Sequence, residues 1–168
     1  MKPYFIVIFL LILFSSCKKE LQQTIENPKF VRTWYDTVQG MPFRAKLSIK
    51  ENNTFEYSSR SCQDGSKSSG IWKIKKDTII LNSIKPKGCL FQHPFGVICV
   101  PFNKPYNGDY KTIKDCEPSG REATYEIFEN EKFIFRNDTL IHTNKVKGNC
   151  PNIRIAFSTK EKVGRSSK

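Results

Sequence analysis

The stretch Phe43-Arg44-Ala45-Lys46-Leu47-Ser48-Ile49-Lys50 places an apolar residue at every odd position and a polar one at every even position. Side chains of an extended strand point alternately to its two faces, so this spacing buries one face and wets the other. A helix of the same residues would scatter its apolar groups around the axis. Glu51-Asn52-Asn53 follows as turn material, and Thr54-Phe55-Glu56-Tyr57-Ser58 resumes the alternation. The pair predicts a hairpin.

Outward from this hairpin, similar patterns mark strands at 30–35, 70–75, 78–82, 123–128, 132–136, 139–143 and 152–158. With the two already read, these short strands lie about ten residues apart between polar turns, the pattern of an all-β chain folded as an antiparallel up-and-down meander. No amphipathic helix longer than two turns is evident. A weak repeat supports the meander: aligning Asp77 with Asp138 sets Trp72-Lys-Ile-Lys-Lys-Asp-Thr-Ile-Ile against Phe133-Ile-Phe-Arg-Asn-Asp-Thr-Leu-Ile. Each copy is strand, turn, Asp-Thr, strand, and Asp favours such turns by accepting hydrogen bonds from nearby backbone N–H groups. The 168 residues suit one domain, and 38% apolar with 12% aromatic residues is too much for a disordered chain.

Residues 85–120 break the period with five Pro, four Gly and three Cys. A loop of this length inside a domain is usually functional or mobile, and the cysteines predict that it is stapled. The domain is therefore expected over 30–158, with 85–120 as an insertion and 159–168 as a basic, disordered tail.

The chain opens with Lys2, the uncharged run Tyr4 to Phe14, and then Ser15-Ser16-Cys17. A positive start, an apolar centre and small residues before a cut are the marks of a signal peptide over 1–16. The run is too short to span a bilayer as a helix, and no run of 18 apolar residues occurs elsewhere. Phe14-Ser15-Ser16-Cys17 also resembles a bacterial lipobox. That resemblance implies a lipid on Cys17, with acyl chains such as palmitate, and a membrane partner reached through the N-terminal anchor. Ordinary secretion with Cys17 as a plain thiol is the other reading. Residues 17–29 are polar, without apolar periodicity, and read as a tether. No acidic run follows Cys17, which points to a bacterial cell envelope location on the periplasmic side of the outer membrane.

Asn27-Pro-Lys-Phe30-Val-Arg-Thr-Trp34-Tyr35 resembles the opening strand of the lipocalins, in which Lys-Phe precedes Gly-x-Trp-Tyr; Arg32 stands where that family carries Gly. Gly70-Ile71-Trp72 before Asp-Thr-Ile-Ile-Leu is similar to small bacterial lipoproteins with lipocalin-like domains. The resemblance implies an up-and-down β-barrel closed at one end by a Trp, with a small apolar molecule as the usual ligand. Candidates to line such a cavity are Trp34, Tyr57, Trp72, Tyr125 and Phe135. The same large rings, with Phe55, Phe133 and Phe157, would alternatively fill the lumen, since about eight strands enclose space for side chains or one small ligand.

Besides Cys17, the disulfide candidates are Cys62, Cys89, Cys99, Cys116 and Cys150. Outside the cytoplasm two bridges and one leftover thiol are expected, and the sequence does not choose among the pairings. Cys89-Leu-Phe-Gln-His93 with Cys99 offers soft metal ligands, but the paired Cys-x-x-Cys spacing of zinc sites does not occur, so no metal and no cofactor is expected. His142 reads as a strand residue. Neither Gly-x-Ser-x-Gly nor His-Glu-x-x-His is present, so no catalytic residues and no enzyme are expected. The net charge of +12 comes from dispersed lysines. It suits anionic lipid headgroups better than nucleic acid, and plain solubility is the bland account. The expected function is a lipid-anchored envelope protein whose barrel is a binding or scaffolding module, with a small apolar molecule as the candidate ligand; the alternative is a protein-interaction or inhibitor module acting through 85–120.

Overall fold

The alternation read from the sequence becomes a closed ring of strands. The structure, a computed structural model, describes residues 28–37, 44–61, 65–96, 110–120, 123–144 and 154–161. Residues 1–27, where a leader and tether are expected, and the tail from residue 162 lie outside the described residues. In chain order the strands are β1 (Thr33–Asp36), β2 (Arg44–Ile49), β3 (Thr54–Arg60), β4 (Gly65–Lys75), β5 (Thr78–Ser83), β6 (Phe91–Pro94), β7 (Tyr110–Lys111), β8 (Thr124–Ile127), β9 (Glu131–Arg136), β10 (Thr139–His142) and β11 (Ala156–Ser158).

Eight of these close into an up-and-down, lipocalin-like barrel. Its order is β1-β2-β3-β4-β5-β9-β10-β11, with β11 returning to β1, and every neighbouring pair is antiparallel. Closure removes the unpaired edges that an open sheet of this kind would expose. The two repeated hairpins are β4–β5 and β9–β10, which stand side by side through the β5–β9 pairing. In the second, Asn137 and Asp138 both take positive φ, as a two-residue hairpin turn of the type matching strand twist requires.

The strand expected over 123–128 forms as β8 but is not a stave of the ring, and the expected loop 85–120 contributes two short strands. At Gly70, opposite Ser83, β5 ends its pairing with the long β4, so Gly65 to Ser69 would be an open edge. β8 covers part of it, running parallel to β4 at Ser66 and Lys67; β6 lies parallel to β8, and β7 pairs with β6. Gly70 itself is required at this junction. A Cβ there would sit 2.1 Å from the Asn82 carbonyl oxygen and 2.7 Å from the Phe55 ring.

The inward positions of the alternating strands form the core: Leu47, Ile49, Phe55, Ile79, Leu81, Phe133, Leu140 and Phe157 are buried. Each such side chain contributes about 1.5–3 kcal/mol by leaving water. One end of the barrel is closed by the turn before β1. Trp34 is fully buried and its indole N–H donates to the Phe30 carbonyl at 2.9 Å. Phe30 and Trp34 both meet the edge of Phe135, with centroids 5.8 and 6.0 Å away. Lys29 lies over the rings of Phe30 and Phe135 and pairs with Asp77 at 3.4 Å. Arg32, the residue in place of the lipocalin Gly, stacks its guanidinium 5.6 Å from the Trp34 ring centre.

Candidate functional site

The other end of the barrel is closed by a pair of strands, β6 from the insertion and β8 from the chain just after it. β6 and β8 are joined by the Phe91 N–H to the Ala123 carbonyl and the Phe95 N–H to the Ile127 carbonyl, at 2.8 and 2.9 Å. This parallel pair delivers Phe95 and Phe128, the residues just past each strand, to the barrel mouth. There Phe95 packs against Tyr57, Phe133 and His142, while Phe128 meets Phe55 and Tyr57. Ser83 ties Phe128 down from the end of β5: its N–H donates to the Phe128 carbonyl, and its hydroxyl accepts from the Phe128 N–H, both at 2.8 Å. The root of the cap is closed by the Cys89–Cys116 disulfide. Next to it Thr112 bonds Leu90 and the Gly88 carbonyl.

Two polar groups lie beneath this cap, the first half-buried and the second buried. Glu126, on β8, accepts hydrogen bonds from Ser66 and, at 3.4 Å, from Ser59; the two serine hydroxyls are themselves 2.6 Å apart across the β3–β4 pair. Burial pushes the Glu126 carboxyl above its ordinary range, against the hydrogen bonds from Ser66, Tyr57 and Ser59 that favour the carboxylate. The Tyr57 phenol is pushed well up, first by burial and then by the neighbouring Glu126 charge.

The second group is a His–Glu pair. His142 ends β10 and Glu131 starts β9, and both point inward, with His142 Nε2 2.5 Å from Glu131 Oε2. Their side chains are 2% and 10% exposed. An ionised Glu131 only accepts, so the His142 Nε2–H donates to it. The other ring nitrogen, Nδ1, is buried and has no hydrogen-bond partner among the described residues. It loses the hydrogen bond it would make to water. Phe95 meets the imidazole edge-on at 5.3 Å, and Gly96 follows with positive φ, its missing Cβ 3.4 Å from His142 Cε1.

Beside this pair opens a recess of about 370 Å³, lined by Pro94, Phe95, Ile127, Glu129, Glu131, His142 and Asn144. Its apolar floor comes from the cap, whereas its polar wall carries two carboxylates and an imidazole. Such a wall offers acceptors, which suit a small molecule carrying hydroxyl or ammonium donors. Among the described residues no group of three or more His, Cys, Asp or Glu is placed to hold a metal ion.

The five residues expected to line a ligand cavity do not all share one; of them, Tyr57 and Tyr125 border a common groove of about 590 Å³. Trp34 and Phe135 meet at the closed end, and Tyr57 packs toward the capped end. Trp72 is buried in the wall, donating its indole N–H to the Lys50 carbonyl at 2.9 Å. Tyr125 stands on β8 outside the ring, its hydroxyl 2.7 and 2.6 Å from the carbonyls of Ser69 and Ile84. Of the cysteines, Cys89 and Cys116 are joined, and Cys17, Cys62, Cys99 and Cys150 lie outside the described residues.

Sequence reasoning passed over Phe95, Phe128, Glu126 and Glu131, and took His142 as an ordinary strand residue. A signal for two of them was present: Glu131 is in phase with Phe133 and Phe135, and His142 with Leu140, so both put a polar group on an apolar face. No protein-family model, curated protein or solved structure matches the chain.

Proposed function

We propose that the chain is a lipid-anchored cell-envelope protein whose filled barrel is a rigid scaffold and whose binding site lies at the capped end. The anchor half of this reading rests on the leader that ends in Phe14-Ser15-Ser16-Cys17. The binding half rests on one observation, the buried His142–Glu131 pair beside the 370 Å³ recess. Taking two ionisable groups out of water is costly and a well-packed apolar pair would hold the barrel as well, so the pair is better accounted for by a ligand than by stability. The ligand is a small molecule rich in hydrogen-bond donors. A larger apolar ligand would have to displace Phe95 and Phe128 from the mouth. The protein is read as a binder, with no reaction assigned to it.

A second reading is supported by the cap, which the Cys89–Cys116 bridge holds and on which Ile113 is about half exposed. A disulfide-braced segment with an outward aliphatic group is suited to gripping another protein.

Native mass spectrometry of material purified from the envelope tests both. A small adduct that disappears in Glu131→Gln supports the recess. A co-purifying polypeptide with no small adduct supports the cap, and neither species would refute both. For the anchor, Cys17→Ala should abolish acyl incorporation and release the chain from membranes; retention of the variant, with no acyl mass on the parent, would refute it.

A further inference from the structure

The outer face of β4 and β5 carries a patch unlike the rest of the barrel. Along β4 the outward positions are Lys67, Ser69, Ile71, Lys73 and Lys75, all exposed. Ile71 is 55% exposed and Ile84, one residue beyond β5, is 54% exposed. The Ile84 N–H donates to the Ser69 carbonyl, which holds the two isoleucines on the same outward face as diagonal neighbours. Two large aliphatic side chains in water lose the gain of burial, and nothing in the barrel's own packing calls for them.

Lysines frame this pair on both sides. Lys67 and Lys73 flank Ile71, and Lys85 and Lys87 follow Ile84. Among the described residues none of these four ammonium groups makes an ion pair, unlike Lys29, Lys46, Lys50 and Lys111. The nearest carboxylate on the face, Glu56, is already held by Lys50 at 2.5 Å. Beside the patch, between the strands and the Pro86 to Leu90 strap, runs a groove of about 590 Å³ with Lys46, Lys67 and Lys87 on its walls and the hydroxyls of Ser48 and Ser58 along it.

We propose that this face docks on the surface of an anionic phospholipid bilayer, with Ile71 and Ile84 entering the headgroup boundary and Lys67, Lys73, Lys85 and Lys87 meeting lipid phosphates. Aliphatic groups beside ammonium groups that make no ion pair among the described residues match the layering of such a surface, apolar below and negative above. A soluble anion would use the lysines and leave the isoleucines in water. The inference deepens the envelope reading, which brings the membrane within reach of the barrel, and it adds an orientation: β4 and β5 toward the lipid, β11 and β1 away from it.

The test uses the full chain purified from membranes, with its N-terminal species determined by mass, reconstituted into vesicles and footprinted by lysine acetylation. On phosphatidylcholine vesicles containing phosphatidylglycerol, acetylation of Lys67, Lys73, Lys85 and Lys87 should be about five-fold or more slower than on pure phosphatidylcholine, and high salt should restore it. Lys160, after β11 on the opposite wall, should not change. Ile71→Ser with Ile84→Ser, two exposed positions that leave the core intact, should weaken the protection. Protection equal at Lys160, equal on neutral vesicles, or reproduced by inorganic phosphate alone would overturn the proposal. An acylated Cys17 without face protection refutes the docking face and leaves the anchor standing. Protection by added anionic vesicles with an unacylated chain does the reverse.

Discussion

Phe95 and Phe128 stack at the barrel mouth with centroids 4.1 Å apart and planes 23° from parallel. One follows β6 and the other β8, so the parallel pairing of two short strands outside the ring decides what closes its mouth. Truncating either ring to Ala is expected to cost about 3–5 kcal/mol, the range for large aromatic deletions in cores. The double variant should show a coupling of about 0.5–1.5 kcal/mol. Urea unfolding of the four proteins measures this. Additive losses would mean that the two rings plug the barrel independently.

The Cys89–Cys116 bridge closes a loop with a sequence separation of 27, at the root of the segment that seats Phe95. Its loop-closure entropy corresponds to about 3.5 kcal/mol of stabilisation in the chain-entropy account. Cys89→Ser with Cys116→Ser should lower stability by that order and increase amide exchange in β6 and β7 before exchange rises in β2 and β3. A loss spread evenly over the barrel would show that the cap and the ring unfold together.

Glu126 makes stability depend on pH in a definite direction. An unfolded Glu loses its proton near pH ~4.3, whereas burial raises the folded carboxyl above that value. Between the two the folded chain binds more protons than the unfolded one, so stability falls as pH rises through this window and levels off above the folded value. Glu126→Gln keeps partners for Ser59 and Ser66 without the charge. It should erase that slope and be more stable than the parent at neutral pH, as read from urea midpoints between pH 4 and 8. A parent whose stability rises across the same window, relative to the variant, would contradict the buried-carboxyl account.

The eight staves were legible because each buries one face, and burying one face imposes the alternation that Phe43 to Lys50 displays so plainly. Closure at the Trp34 end was legible only through resemblance; the structure shows the Trp34 indole bonded to the Phe30 carbonyl there. The cap was not legible. Phe91-Gln-His-Pro94 and Tyr110-Lys111 are too short to show a period, and their pairings, antiparallel with each other and parallel between β6 and β8, join segments far apart in the chain. The same holds for chemistry: Glu131 and His142 each look like one polar residue in an apolar strand, and only the β9–β10 register makes them a pair. Cys89 with Cys116 was one of many pairings the sequence allowed.

The Trp34 end offers a substitution that separates ring from donor. Trp34→Phe keeps an aromatic side chain under Phe30 and Phe135 but removes the N–H that the Phe30 carbonyl accepts at 2.9 Å. That bond is buried, so a carbonyl left without a partner costs about 1–3 kcal/mol, in addition to the loss from the smaller ring. Arg32→Ala, by contrast, deletes only a cation over the outer surface of the indole, about 0.5–1 kcal/mol at a site open to water. The order of the two losses in urea unfolding is therefore fixed in advance, with Trp34→Phe the larger. The reverse order would mean that Arg32, the residue standing where the lipocalins carry Gly, holds this end of the barrel more than the indole hydrogen bond does.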